Sequence, residues 1–319
     1  MTGASGERGR GRAGRPIRPP RLARGAVVGI AAPASAFDRA ELASGLRALE
    51  ALGFRPRLPE GLFSVHGGFA GDDAHRARLL ERLFADPEVE AVLCARGGWG
   101  SLRILPLLDY AAIAARPKAL VGFSDATALL AAVSARAGLV VFHGPMAAGL
   151  GGAARQTRTG LVQALCSGEP VSIRLRRREV LRPGRAEGRL AGGNLTTLCH
   201  LIGTPFAPDF RGRILFLEER GEAPYRIDRM LTQMRLAGLL AGVRGVVLGS
   251  FGDCGPLEEI GRIVAQAFGE RRLPIVAGLP AGHGEPNRTL PFGTRALLDT
   301  SALRLSVAPG TAPRRGGRG

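Results

Sequence analysis

Cysteine is scarce in this sequence: Cys94, Cys166, Cys199 and Cys254 lie scattered along 319 residues, with no CxxC pair and no Cys/His ligand spacing. That argues against both a zinc site and a disulfide framework. The four sit in apolar or turn settings such as VLCARG and TLCHLIG, which read as reduced, small core residues. No metal or other cofactor is expected. Aromatic residues make up 5% of the chain, too few for the stacking platform that single-stranded nucleic acid requires. Lysine is nearly absent, Lys118 being the only one, so the formal charge of +17 is an arginine charge. Nine of the seventeen excess charges fall in residues 1–24 and 308–319, and the rest are spread thinly over the chain between them. No specific nucleic-acid partner is expected from that distribution, only non-specific adhesion of the tails. No apolar run reaches membrane-spanning length, so no membrane partner is expected either. The arginine-rich start followed by GAVVGIAAPASA imitates a secretory leader. Its apolar part is short and makes a good first strand, so a cytoplasmic location is the expectation.

What is present is a core-forming composition, 45% hydrophobic, in an alternating pattern. Residues 1–24, rich in Gly, Arg and Pro, read as a disordered extension, and residues 309–319 as a disordered tail. From residue 25 to 150 short apolar strands (VVGIAAP, FRPRL, EAVLCAR, ALVGF, VVFHGP) alternate with segments of helical period. Among those segments, LRILPLLDY reads as one helix. Repeated strand–helix–strand units imply an α/β fold with a mostly parallel, Rossmann-like sheet flanked by helices. Residues 151–185 read as a linker. Residues 186–308 resume the alternation with RILFLEE, GVVLGSF and PIVAGLP, then add short strands near TLPFG and ALRLSV. They read as a second α/β domain with a β-rich part.

Three stretches put reactive groups at strand ends, where such sheets gather their functional residues. The first is GFSD. A serine at a strand-to-helix turn exposes its hydroxyl, and the amide of Asp125 would lie near the positive helix end, able to donate to an oxyanion. Ser124 and Asp125 are also favoured helix N-caps, and taken alone the stretch reads more simply that way. The second is RGGWGS, whose glycines allow close backbone approach or merely an ordinary turn. The third is AGHGEPNRTLPFG, where His283 stands between two glycines just after a strand. His143, ending a strand in FHGPM, is the other histidine in a plausible setting. A serine hydroxyl needs a neutral imidazole as base and a carboxylate to orient that imidazole. Glu218 and Glu219 both end RILFLEE, on opposite faces of a strand, so only one of them can serve.

The ordered series VGIAAPAS, ARGGWGSLRILPLLD, LVGFSDAT, FHGPM, GGNLTTL, GTPF, ILFLEERGEAPYRIDRML, GVVLGSF and GHGEPNRTLPFG resembles the LD-carboxypeptidase family of serine peptidases. That family includes muramoyl-tetrapeptide carboxypeptidases and microcin-immunity peptidases. The resemblance implies Ser124 as nucleophile, His283 as general base and Glu218 as its partner, with Glu219 the alternative. It also implies backbone amides of Gly98 and Asp125 as oxyanion donors. Trp99 stands where many relatives have Tyr, so it keeps an aromatic wall for substrate but lacks the hydroxyl. Arg103, one helical turn beyond the glycine turn, is the candidate for the substrate's terminal carboxylate, although a solvated helix arginine would look the same. The implied substrate is a murein tetrapeptide, cut between the L-centre of its diamino acid and the terminal D-Ala during peptidoglycan recycling, by a protein that pairs as a homodimer. Two other readings use the same scaffold: an immunity-type peptidase acting on a peptidyl or aminoacyl nucleotide, and a non-catalytic ligand-binding protein.

Overall fold

The computed structural model describes residues 15–314. Near-continuous apolar runs dictate strands that are covered on both faces, and the inner strands of the first sheet are built from them. Its parallel strands are β1 (Val27–Ala31), β2 (Arg55–Arg57), β3 (Val89–Cys94), β4 (Ala119–Gly122) and β5 (Val141–His143). Between them run α1 (Arg39–Ala51), capped by Asp38, and α2 (Asp73–Ala85), capped by Asp72. The expected single helix over LRILPLLDY is instead α3 (Ser101–Ile104), a 3-10 turn at Leu105–Leu107, and α4 (Tyr110–Ala115). Pro106 cannot donate an amide, and the Asp109 carboxylate caps a fresh helix through the amides of Ala111 and Ala112. Helix α5 (Thr127–Arg136) then connects β4 to β5.

The segment expected to be a linker is structured. It contains α6 (Arg155–Val162), β6 (Val171–Arg174) and β7 (Val180–Arg182). The second sheet continues with β8 (Arg185–Asn194), α7 (Leu195–His200), β9 (Arg213–Arg220), α8 (Pro224–Leu236), β10 (Gly245–Gly252), α9 (Leu257–Ala267) and β11 (Ile275–Val276). The chain then crosses back: β12 (Leu290–Phe292) pairs antiparallel with β5, so it closes the first sheet rather than belonging to the second domain. Two final strands, β13 (Arg295–Asp299) and β14 (Arg304–Val307), return to the second sheet. The orders are β12-β5-β4-β3-β1-β2 and β6-β14-β13-β8-β9-β10-β11-β7.

Alternation along β9 assigns its two faces. Ile214 and Phe216 join the core shared with the first sheet, whereas Leu215 and Leu217 join a second core with Ile227 and Leu231 of α8 and Ile260 of α9. Glu218 continues the first face and Glu219 the second.

The expectation that residues 1–24 form a disordered extension does not hold for residues 15–24. Ile17 exchanges backbone hydrogen bonds with Gly138 and Val140, Arg21 N–H donates to Ala312, and Leu22 is buried, its amide donating to Leu165. The tail expected from 309 onward is likewise held through Ala312, whose amide donates to Pro19. Apolar side chains in otherwise polar segments, Ile17 and Leu22 above all, supply the reason. The remainder of both expectations, residues 1–14 and 315–319, lies outside the described residues. No helix among the described residues is long and apolar enough to cross a membrane.

Candidate active site

The strand order turns back between β1 and β3, since β1 leads outward to β2 on one side and the chain continues to β4 and β5 on the other. Loops leaving the carboxyl ends of strands at such a point form a crevice. Ser35 in the loop after β1 and Gly98 in the loop after β3 meet there, and the Trp99 amide donates to Ser35 Oγ at 3.1 Å.

Ser124 follows β4, the next strand along. Its φ is +59°, in the left-handed region that costs an ordinary residue about 1–3 kcal/mol. Gly122 makes the tight bend possible, because a Cβ there would stand 2.9 Å from that of Ala126. The N-cap reading of GFSD fails. Ser124–Ala126 form a 3-10 turn, Ala126 precedes α5, and neither Ser124 nor Asp125 caps that helix with its side chain. The Ser124 hydroxyl is turned to His283 Nε2 at 3.0 Å. The Asp125 carboxylate is turned the other way, accepting from the Ser101 amide at 2.9 Å.

His283 Nδ1 lies 2.6 Å from Glu218 Oε2, and the His283 backbone amide donates to the same oxygen at 3.2 Å. An ionised Glu218 can only accept, and in that state Oε2 takes both the backbone N–H and the ring hydrogen on Nδ1. Nε2 is thereby left with its lone pair toward the Ser124 hydroxyl. Glu218 is fully buried, and its other oxygen has no partner among the described residues. Burial raises its carboxyl above the ordinary value, and the His283 hydrogen bond pulls it partly back. The pleat decides between the two glutamates, for Glu219 faces away and accepts from Asn194 Nδ2, the Thr196 amide and the Arg220 amide.

The loop that carries His283 needs its glycine and several buried anchors. Gly282 has φ +104°, and a Cβ there would lie 2.6 Å from Glu218 Oε2. The Gly282 amide donates to Asn287 Oδ1 at 2.9 Å, and the Asn287 amide donates to Thr157 Oγ1 at 2.8 Å. Thr157 Oγ1 in turn donates to Glu285 Oε2 at 2.7 Å. Sequence reasoning missed Thr157, Glu285 and Asn287. The polar run EPN beside His283 was their only signal, and Thr157 lies in the segment read as a linker.

Ser124, His283, Gly97, Gly98 and Phe123 line a cavity of about 410 Å³. The expected substrate-binding residues stand apart from it. Trp99 is at the surface, edge-on to Phe69 at 5.8 Å, and does not line the cavity. Arg103 does not reach it either, since its guanidinium is held by Asp73, with Nε at 2.9 Å from Oδ1. The guanidinium groups that do line it belong to Arg96, paired with Glu41 at 3.2 Å, and Arg220, 3.4 Å from Asp253. His143 lies behind the site, fully buried against Phe216 and Phe292, and burial pushes its ring down to about 3, so it is a neutral packing group. Among the described residues no cluster of three or more His, Cys, Asp or Glu is placed to hold a metal ion.

Comparison with known proteins accords with this geometry. The profile of the LD-carboxypeptidase N-terminal domain matches residues 28–144, and that of the LD-carboxypeptidase C-terminal domain matches residues 187–298. The chain belongs to the LD-carboxypeptidase family. Within that family it is 37% identical, over 293 residues, to the murein tetrapeptide carboxypeptidase of Pseudomonas aeruginosa, covering 87% of this chain and 94% of that one. The crystal structure of the muramoyltetrapeptide carboxypeptidase from Oxalobacter formigenes superposes with a TM-score of 0.80 at 31% identity, covering 90% of this chain and 99% of the other. A structure of MccF in complex with glutamyl sulfamoyl guanosine superposes with a TM-score of 0.83 at 26% identity, covering 92% and 98%. Ser124 lies in the stretch matched by the N-terminal domain, and Glu218 and His283 in the stretch matched by the C-terminal domain, which also contributes β12 to the first sheet.

Proposed function

We propose that this protein is a serine LD-carboxypeptidase that removes the terminal D-Ala from murein tetrapeptide in cytoplasmic peptidoglycan recycling. The observation that carries the reading is the hydrogen-bonded chain Ser124–His283–Glu218, with its serine end opening into the cavity. His283 Nε2 takes the Ser124 proton as Oγ attacks the carbonyl of the terminal peptide bond. The amides of Gly98 and Asp125 hold the oxyanion, each such donor contributing roughly 3–4 kcal/mol in the transition state. The imidazolium, steadied by Glu218, then protonates the departing D-Ala amine. Water, activated by the same ring, hydrolyses the acyl-enzyme.

An exopeptidase also needs a cation for the terminal carboxylate. Arg96 and Arg220 are the groups whose position supports that role, whereas Arg103 does not line the cavity. The aromatic side chains lining the cavity are Phe123 and His283, packed edge-on at 4.9 Å.

Mass spectrometry of murein tripeptide, tetrapeptide and pentapeptide after incubation with the protein tests reaction and length together. The expected result is loss of one alanine from the tetrapeptide alone, abolished by Ser124→Ala and reduced by several orders of magnitude in His283→Ala. Near-wild-type release by either variant, or no release by wild type, would overturn the proposal.

A further inference from the structure

The two turns that carry the proposed oxyanion donors are joined by a reciprocal pair that uses neither donor. Ser101, the first residue of α3, is completely buried. Its amide donates to Asp125 Oδ2 at 2.9 Å, and its hydroxyl donates to the Asp125 carbonyl at 2.6 Å. Gly100, which precedes it, has φ +120° and no side chain to cap α3, so the Asp125 carboxylate supplies that cap from another element. On the far side of the glycine turn, the Trp99 amide donates to Ser35 Oγ, and the same Ser35 side chain fills the space a Cβ at Gly98 would need. Gly97 completes the fit, since a Cβ there would stand 3.3 Å from Ser124 Oγ. The glycine turn is thus fixed at Trp99 by Ser35 and at Ser101 by Asp125, on either side of the bend. The nucleophile turn is fixed to it through both the side chain and the carbonyl of Asp125.

We infer that Ser101 and the Asp125 side chain form a positioning pair that sets the separation of the Gly98 and Asp125 amides, and so tunes oxyanion stabilisation rather than substrate binding. The inference rests on the serine acyl-transfer reading above. Oxyanion donors act through geometry fixed before reaction, and a misplacement of about 1 Å costs on the order of a hundredfold in rate. Ser101 touches no reacting atom in this scheme; it acts through the backbone it holds. It is invisible in the sequence because a serine after a glycine turn looks like an ordinary helix start.

The test compares wild type with Ser101→Ala, Ser101→Thr and Asp125→Ala on murein tetrapeptide. Two ligands complete it: the tetrapeptide analogue whose terminal amide is replaced by a tetrahedral phosphonate, and the tripeptide product. Ser101→Ala and Asp125→Ala should each lower kcat about a hundredfold with KM changed less than about threefold. Affinity for the phosphonate should fall in step with kcat/KM, while affinity for the tripeptide stays at the wild-type value. Ser101→Thr, which keeps the hydroxyl, should recover most of the loss. The double variant should be no worse than the poorer single one, as expected of one unit. A wild-type kcat in Ser101→Ala, equal loss of phosphonate and tripeptide affinity, or additive effects would each overturn the inference. Should Ser101→Ala fail to fold, Ser35→Ala gives the same readout from the other anchor. Wild type that releases no alanine refutes the function proposed above, whereas active wild type with an unimpaired Ser101→Ala refutes only the positioning pair.

Discussion

A carboxylate at the end of a buried strand is costly unless something uses it, and Glu218 illustrates how. Burial raises its carboxyl above the ordinary value, against the opposing effect of the His283 hydrogen bond. With the folded value above the unfolded one, the folded chain holds the extra proton through that interval. Its stability contribution is therefore complete below the ordinary carboxylate range and is lost as pH rises through the raised value. Glu218→Gln removes the ionisation, so its thermal midpoint should gain on wild type as pH rises through that window and match it below. Its turnover should fall by about ten-thousandfold, as when a triad carboxylate becomes an amide. Melting curves across pH check the first statement, and a variant less stable than wild type at neutral pH would refute it. At this scale the residues alone narrowed the candidates to Ser124, His283 and one of two glutamates, because reactive groups at strand ends are few, and the preference for Glu218 came from the family resemblance. It misled on Arg103, since nothing in the sequence says that Asp73, thirty residues away, takes its guanidinium.

Among the elements, the segment between β11 and β12 matters most, because it presents His283 while its ends lie in different sheets. Its geometry depends on Gly282, which is both left-handed and in close approach to Glu218. Gly282→Ala should destabilise the protein by about 1–3 kcal/mol and lower kcat/KM about a hundredfold by separating the ring from its carboxylate. Denaturant titration and steady-state kinetics measure the two, and an active, equally stable variant would contradict this account. The inner strands of the first sheet were legible because fully buried parallel strands read as aliphatic runs. Strand β8 was not, since GRLAGGN contains glycines that weaken any strand pattern. Its Gly192 is needed because a Cβ would run into the Phe216 carbonyl of β9, a tertiary reason with no local trace.

For the whole molecule, residues 15–24 are part of the fold rather than an extension of it. Residues 15–24 bridge the strand-entry loop at Gly138–Val140, the π-helical continuation of α6 at Leu165 and the segment at Ala312. Starting the chain at Gly25 should lower the thermal midpoint relative to a chain begun at Arg15, and equal midpoints would show these contacts to be idle. The fold class was readable from alternation. The return of β12 to the first sheet was not, because a three-residue strand such as LPF carries no mark of its partner. That return has a consequence outside catalysis. By pairing with β5, β12 covers what would otherwise be a bare sheet edge, ready to add strands from other molecules. Any event that frees the His283 segment also unmasks that edge, so inactivation and self-association should begin together. Light scattering on heating should therefore rise at the temperature where turnover is lost.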